Sequence, residues 1–316
     1  MQNPHRFPGA NVFADAHIPR KGPRRGDDEW LRKAFASDRA RFVPVWKNKN
    51  LTTGDAGSEH ASLLSTAELG RLSPTLDDAV LLGNVGGKVC FAVDVGVDET
   101  PPIDNGRFRS LRTVGAVLSA EEAALMAYAQ AMVLWHRRHG HCSNCGARTT
   151  PTQGGHQRRC NDPGCGVSQF PRTDAAVIVL ASRGDKALLG RQPTWPDGLY
   201  STVAGFVEPG ESLEEAVTRE VFEETGILVQ DVEYHSSQPW PFPSSLMLGF
   251  HARATNDDIR LRDNELQDAR WFTREEVAAM VARQAGLPSS ISIAFRLIEQ
   301  WYDQDQPGAL RALAER

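Results

Sequence analysis

Arg219-Glu220-Val-Phe-Glu223-Glu224 places three carboxylates and a guanidinium within six residues. Gly205 and Glu211 lie upstream, and Gly226-Ile227 follows directly. Together they fill the pattern G-x5-E-x7-R-E-U-x-E-E-x-G-U, where U is a large aliphatic residue, with nine fixed positions in 23 residues. Several carboxylates that cannot share a site as bare anions want a cation. Hard oxygen donors point to Mg2+ or Mn2+ and not to zinc. Such an ion neutralises phosphate charge and activates water, so the chemistry expected is metal-assisted hydrolysis.

The elements that must position these groups are visible around them. Ser212-Leu-Glu-Glu215 has the form of a capping box, which predicts a helix from Leu213. Gly226 suits a left-handed C-terminal cap. At about 100° per residue, Leu213, Val217, Glu220 and Glu224 fall within an arc of roughly 60°, with Glu223 just beside it. The carboxylates thus continue the apolar stripe. A solvated acidic face, the usual fate of a charge run, would lie on the opposite side. Arg219 and Glu223 are spaced to pair at i, i+4.

Strands are predicted at 174–182 and 187–191, with 199–204 leading into the motif helix and further strands at 229–236 and 245–254. Arg270-Trp-Phe272 precedes a helix over 275–283, capped by Thr273 and Glu276, and 291–303 forms a last helix. This alternation implies a layered α/β domain.

The whole chain sets outer bounds. Its 316 residues imply two or three domains, and 41% hydrophobic content is ordinary for a globular protein. The longest apolar run, Ala175 to Ala181, is far too short to span a membrane. A net charge of −5 excludes a global basic field for nucleic acid. Between His136 and Arg172, however, six Arg face a single acid, Asp162. An RNA contact would lie there, although solvated side chains on a small module are the plainer reading. Residues 1–38 are rich in Pro, Gly and Arg and are expected to be loosely ordered. They hold no apolar stretch of signal-peptide type, so a reducing, cytoplasmic home is expected. Strands at 41–46, 79–82 and 88–95, then a helix over 119–139 with Ser119 and Glu122 as its capping box, imply an N-terminal α/β domain over 39–136.

A cysteine module follows over 137–170. Cys142-x2-Cys145 and Cys160-x4-Cys165 are separated by fourteen residues. Two close Cys pairs across a small β segment match a closed structural zinc site; two disulfides are the competing pattern, which a reducing compartment disfavours.

Ser237-Gln-Pro-Trp-Pro-Phe-Pro-Ser-Ser245 is the second distinctive stretch. Pro239, Pro241 and Pro243 fix φ at alternate positions and remove N–H donors, so the segment is stiff and unsuited to a central strand. In an extended chain Trp240 and Phe242 point to one side and offer a wall for a flat heterocycle. A Pro-rich edge with aromatics in the core is the alternative.

The motif over 205–227 resembles the signature of the Nudix hydrolases. With the zinc-type module and the 237–245 stretch, residues 108–300 resemble the NADH pyrophosphatase branch of that family. The resemblance implies a Nudix α/β/α sandwich with a mixed sheet over 171–316, preceded by a zinc ribbon and an N-terminal domain. It implies hydrolysis of NADH or NAD to nicotinamide mononucleotide and AMP, removal of NAD caps from RNA, Mg2+ or Mn2+, one structural zinc per chain, and a homodimer. By position, Glu220, Glu223 and Glu224 match the metal-binding and catalytic carboxylates, with Arg219 beside them. Ala204 would offer a backbone carbonyl, and Glu265 would complete the metal site. Gln238, Pro239, Trp240, Pro241, Phe242, Pro243, Ser244 and Ser245 match the substrate-lining motif. Phe170, Phe206, Ala294 and Arg112 match further substrate contacts, and Cys142, Cys145, Cys160 and Cys165 the zinc ligands. The family usually has two residues, not four, in the second knuckle. Related branches act on ADP-ribose or dinucleoside polyphosphates, and the 237–245 stretch is what favours NAD(H). A zinc-ribbon RNA-binding protein is the reading from another class.

Overall fold

The computed structural model describes all residues except 1–10, 15–17, 71, 73, 97–98, 105, 263–264, 283–285, 305 and 315–316. The chain sorts into two compact units, 1–173 with 240–244 and 174–239 with 245–316.

The first unit begins with α1 (Asp28–Phe35), β1 (Arg41–Trp46), β2 (Lys49–Thr53), β3 (His60–Ala61) and α2 (Thr66–Gly70). It continues with β4 (Ala79–Val85), β5 (Lys88–Asp94), β6 (Arg107–Arg109), α3 (Leu111–Val114) and α4 (Ala120–Arg138). The sheet runs β3-β2-β1-β5-β4, with β6 also paired to β2. Among the described residues, only β1 and β5 are parallel in it. Helix α4 packs on β1, β4 and β5 and starts with the expected Ser119–Glu122 capping box. Residues 28–35 lie in the segment expected to be loosely ordered, yet they form a helix. Asp27 caps it by accepting from the Trp30 amide, and Leu31 enters the core with Phe42, Leu81 and Phe91.

The cysteine module adds β7 (Thr149–Thr152), β8 (Gln157–Cys160) and β9 (Ser168–Gln169), all antiparallel. Two imidazoles join it to the first sheet and to α4. His156 Nε2 donates to the Leu81 carbonyl at 2.7 Å. His136 Nε2 donates to the Gly155 carbonyl at 2.7 Å, while its Nδ1 accepts from Arg158 at 2.8 Å. The His136 pattern, with one ring nitrogen donating and the other accepting, requires a neutral ring.

The second unit comprises β10 (Asp174–Arg183), β11 (Lys186–Arg191), β12 (Val203–Phe206), α5 (Leu213–Thr225), β13 (Val229–Trp240) and β14 (Ser245–Ala254). Then come β15 (Asp268–Phe272), α6 (Arg274–Ala282), α7 (Ile293–Tyr302) and α8 (Ala309–Ala314). Arg283, the expected end of α6, lies outside the described residues. The order is β13-β14-β10-β11-β15, and β12 also pairs with β10. The sheet is mixed, because β10 and β14 are parallel. Strand β10 is buried on both faces, which accounts for its continuous apolar run. Val177, Val179 and Ala181 meet α5 residues Ala216, Val217 and Val221; Ile178 and Leu180 meet Val277, Ile293, Leu297 and Ile298 on the other face. The unit is therefore an α/β/α sandwich, and among the described residues no helix is long and apolar enough to cross a membrane.

Candidate active site

Helix α5 forms as its sequence dictates. Ser212 Oγ accepts from the Glu215 amide, the Glu215 carboxylate accepts from the Ser212 amide at 2.7 Å, and Gly226 closes the end at φ 71°. Ala216, Val217 and Val221 are fully buried. On the same stripe Glu224 is only 3% exposed. The Glu220 side chain is 12% exposed and that of Glu223 is 52%. Glu224 and Glu220 thus sink into the sandwich, while Glu223 stands at its solvent edge.

Gly205 on β12 supplies the floor. A Cβ there would clash with the Glu220 carboxyl group. Arg219 organises the cluster from the other side. It grips Glu211 through two bonds of 2.6 and 3.0 Å, and reaches Glu220 at 2.9 Å, Glu223 at 3.1 Å and the Phe206 carbonyl at 2.9 Å. These bonds hold the Glu211 carboxyl at about 2, first through Arg219 and then through the Glu208 amide. Glu220 behaves oppositely. Burial raises its carboxyl above the usual range, Arg219 opposes this, and the charges of Glu223 and Glu265 add to it. The exposed Glu265, distant in sequence, is therefore brought into range of Glu220. Buried, crowded oxygen donors fit a hard divalent cation. Glu220, Glu223 and Glu224 could hold it, with Ala204 beside Gly205 on the same strand.

The four cysteine sulfurs all lie within 4.8 Å of one another. Cys142 and Cys165 are 3.8 Å apart, and Cys145 and Cys160 are 3.4 Å apart. Thiolates about 2.3 Å from a tetrahedral zinc ion would be spaced by about 3.8 Å, whereas a disulfide needs about 2.05 Å. All five cysteines are free. The wider second knuckle closes by a local turn: the Asp162 carbonyl accepts from Cys165 at 3.0 Å and Gly166 at 2.9 Å, and its side chain accepts from Gly164 at 2.7 Å.

The proline-aromatic stretch divides. Strand β13, at the sheet edge, runs through Pro239 to Trp240. In the first unit, the Trp240 and Phe242 rings meet edge to face at 5.0 Å, with Phe13 6.1 and 5.9 Å away. The Arg112 guanidinium lies 4.3 Å from the centre of Phe242 and 5.2 Å from that of Trp240, a cation–π arrangement. Gln130 Nε2 donates to the Pro241 carbonyl at 2.7 Å. Pro243 is exposed, and Ser244 and Ser245 are half-buried.

Phe170 and Phe206 are each 61% exposed, far from the core position that an aromatic side chain usually takes. Two matched residues have settings unlike an open substrate wall. Ala294 is buried in the core at the start of α7. Gln238 is fully buried, and both ends of its amide face backbone groups. Spacing alone did not single out Glu211 or Gly205 as parts of the site, although both are fixed positions of the motif. Gln130 carries no local signal, because its partner is 111 residues away.

The sandwich and its acidic, arginine-braced helix define a Nudix domain. A NUDIX domain family model matches residues 171–289. A model for the NADH pyrophosphatase-like rudimentary NUDIX domain matches 39–135, and one for the NADH pyrophosphatase zinc ribbon domain matches 137–170. NAD-capped RNA hydrolase NudC of Mycobacterium bovis is 42% identical over 239 residues, covering 71% of this chain and 75% of that protein. NAD-capped RNA hydrolase NUDT12 of Homo sapiens is 44% identical over 196 residues, covering 58% of this chain and 42% of that protein. The match thus spans less than half of the human relative. A NUDIX hydrolase from Nitrosomonas europaea of known crystal structure aligns over 53% of this chain and 94% of its own, at 21% identity and a TM-score of 0.44. The chain belongs to the Nudix hydrolase family, in its NADH pyrophosphatase branch.

Proposed function

We propose that the chain hydrolyses the diphosphate bond of NADH or NAD to nicotinamide mononucleotide and AMP, and removes NAD caps from RNA 5′ ends. The observation that carries this reading is the buried carboxylate cluster of α5, fitted over Gly205 and braced by Arg219. The relatives named as NAD-capped RNA hydrolases support the choice of substrate.

A divalent ion, Mg2+ or Mn2+, supplies neutralisation of the phosphate charge and more acidic water. The residues of the chain do the rest. Glu220, Glu223 and Glu224 would hold the ion, together with the Ala204 carbonyl and Glu265. Glu223 or Glu224 accepts the proton of the attacking water. Arg219 keeps Glu220 and Glu223 in place. Trp240 and Phe242 present flat faces to a heterocycle, as do Phe170 and Phe206, while Arg112 brings positive charge. Exposed Arg138, Arg148, Arg159 and Arg172 would meet the phosphates of a capped RNA. We further propose a homodimer acting in the cytoplasm, where the four zinc-ligating thiols stay reduced.

The test is a comparison of rates on NADH, NAD, ADP-ribose and NAD-capped RNA with Mn2+, with products identified by mass. Nicotinamide mononucleotide and AMP from NADH are expected. Faster cleavage of ADP-ribose than of any NAD-containing substrate would overturn the assignment.

A further inference from the structure

Gln238 sits inside the proline-aromatic stretch but behaves unlike its neighbours. Its side chain is fully buried. Nε2 donates to the Ile291 carbonyl at 2.7 Å, and Oε1 accepts from the Ile293 amide at 2.8 Å. The amide therefore bridges both sides of Ser292, whose own Oγ accepts from the Ala294 amide at 3.1 Å. The first N–H groups of a helix lack partners within it. At the start of α7 one is taken by Gln238 and the next by Ser292. The strand beside β13 is shaped to the same join. At Gly249 of β14 a Cβ would lie 2.8 Å from Ile293 Cδ1 and 3.2 Å from the Ser236 carbonyl. A side chain there would force the Ile293 side chain at the start of α7 to give way.

We propose that Gln238 is a positioning residue, acting through the start of α7 and not by touching substrate. By tying β13 near its end to residues 291–293, it sets the course of the strand at Pro239 and the placement of Ala294. This inference rests on the NAD(H) reading and deepens it: the residue would govern how well a nicotinamide-containing substrate is held, leaving the chemical step to α5. A buried amide facing a donor and an acceptor is also costly to replace, because an apolar substitute leaves both backbone groups unpaired.

Wild-type enzyme is assayed first. Absence of NADH hydrolysis there would sink the functional reading itself. Given activity, Gln238→Leu should raise KM for NADH about tenfold or more while kcat stays within a few-fold, and should lower the ligand-free unfolding temperature. Gly249→Ala, which disturbs the same join without altering the amide, should reproduce the KM rise. If Gln238→Leu does not fold, Gln238→Asn, one methylene shorter and uncharged, stretches both hydrogen bonds without burying a charge, and should show a weaker form of both effects. A KM rise with unchanged unfolding temperature would mean direct substrate contact and overturn the proposal. A lowered unfolding temperature with unchanged KM would mean packing alone and overturn it equally.

Discussion

The carboxyl group of Glu220 occupies the space that any side chain at position 205 would need, so Gly205 and Glu220 are sterically one feature. Gly205→Ala must push Glu220 away from its place beside Arg219. A misplacement of about 1 Å can cost about 10²-fold in rate, so that loss is expected in kcat, with a higher Mn2+ requirement and an intact circular dichroism spectrum. Wild-type turnover in this variant would show that the Glu220 position is immaterial.

Glu224 lies on the buried stripe of α5, continuous with Val217 and Val221. Gln keeps its shape and removes the charge and the basicity. Glu224→Gln should reduce turnover by at least about 10²–10⁴-fold, the range for loss of a proton-transfer group, without unfolding the protein. A near-normal rate measured on NADH would remove Glu224 from the chemistry.

The sulfur spacing predicts one zinc ion per purified chain, measurable by mass spectrometry of the metal. A strong chelator, or Cys160→Ser, should empty the ribbon and lower the stability of the first unit, because metal binding there is folding energy. A metal-free chain with unchanged stability would contradict a structural zinc.

Two imidazoles make the first unit acid-sensitive. Burial holds His136 at about 4, helped by the charge of Arg158, and burial holds His156 at about 4 as well. Both lie below the ordinary 6.5, so the unfolded chain binds more protons between these values. Their contribution is complete above about pH 6.5 and disappears as pH falls through 4, up to about 3 kcal/mol each. Denaturant titrations at pH 7 and 5 should show this loss. His156→Gln, whose amide can still donate to Leu81, should roughly halve the difference; an equally steep loss in the variant would assign it elsewhere.

The parts readable from sequence were those with local rules. Helix α5 declared both its ends through Ser212, Glu215 and Gly226, and α4 its start through Ser119 and Glu122. Strand β2 was missed because its hairpin breaks the usual turn chemistry. Lys47 and Asn48 both take positive φ, 46° and 58°, as a two-residue I′ turn requires, but without the glycine that announces one. The setting of Gln238 was hidden for a different reason. Its neighbours made it look like a substrate residue, whereas its partners lie 53 and 55 positions away, beyond what any spacing rule reports. Arg112 was legible only through the family resemblance, since nothing near it in sequence points to Phe242.

Residues 240–244 group with the first compact unit although their flanking strands belong to the second. Evolution, or a protein engineer, therefore cannot shuffle this hydrolase as separable cassettes. Transplanting 171–316 from one relative onto the N-terminal half of another would match Trp240, Pro241 and Phe242 to foreign counterparts of Phe13, Arg112 and Gln130. Chimaeras should tolerate the exchange only when those three travel with the loop, which makes the aromatic tip and the N-terminal half a single heritable piece.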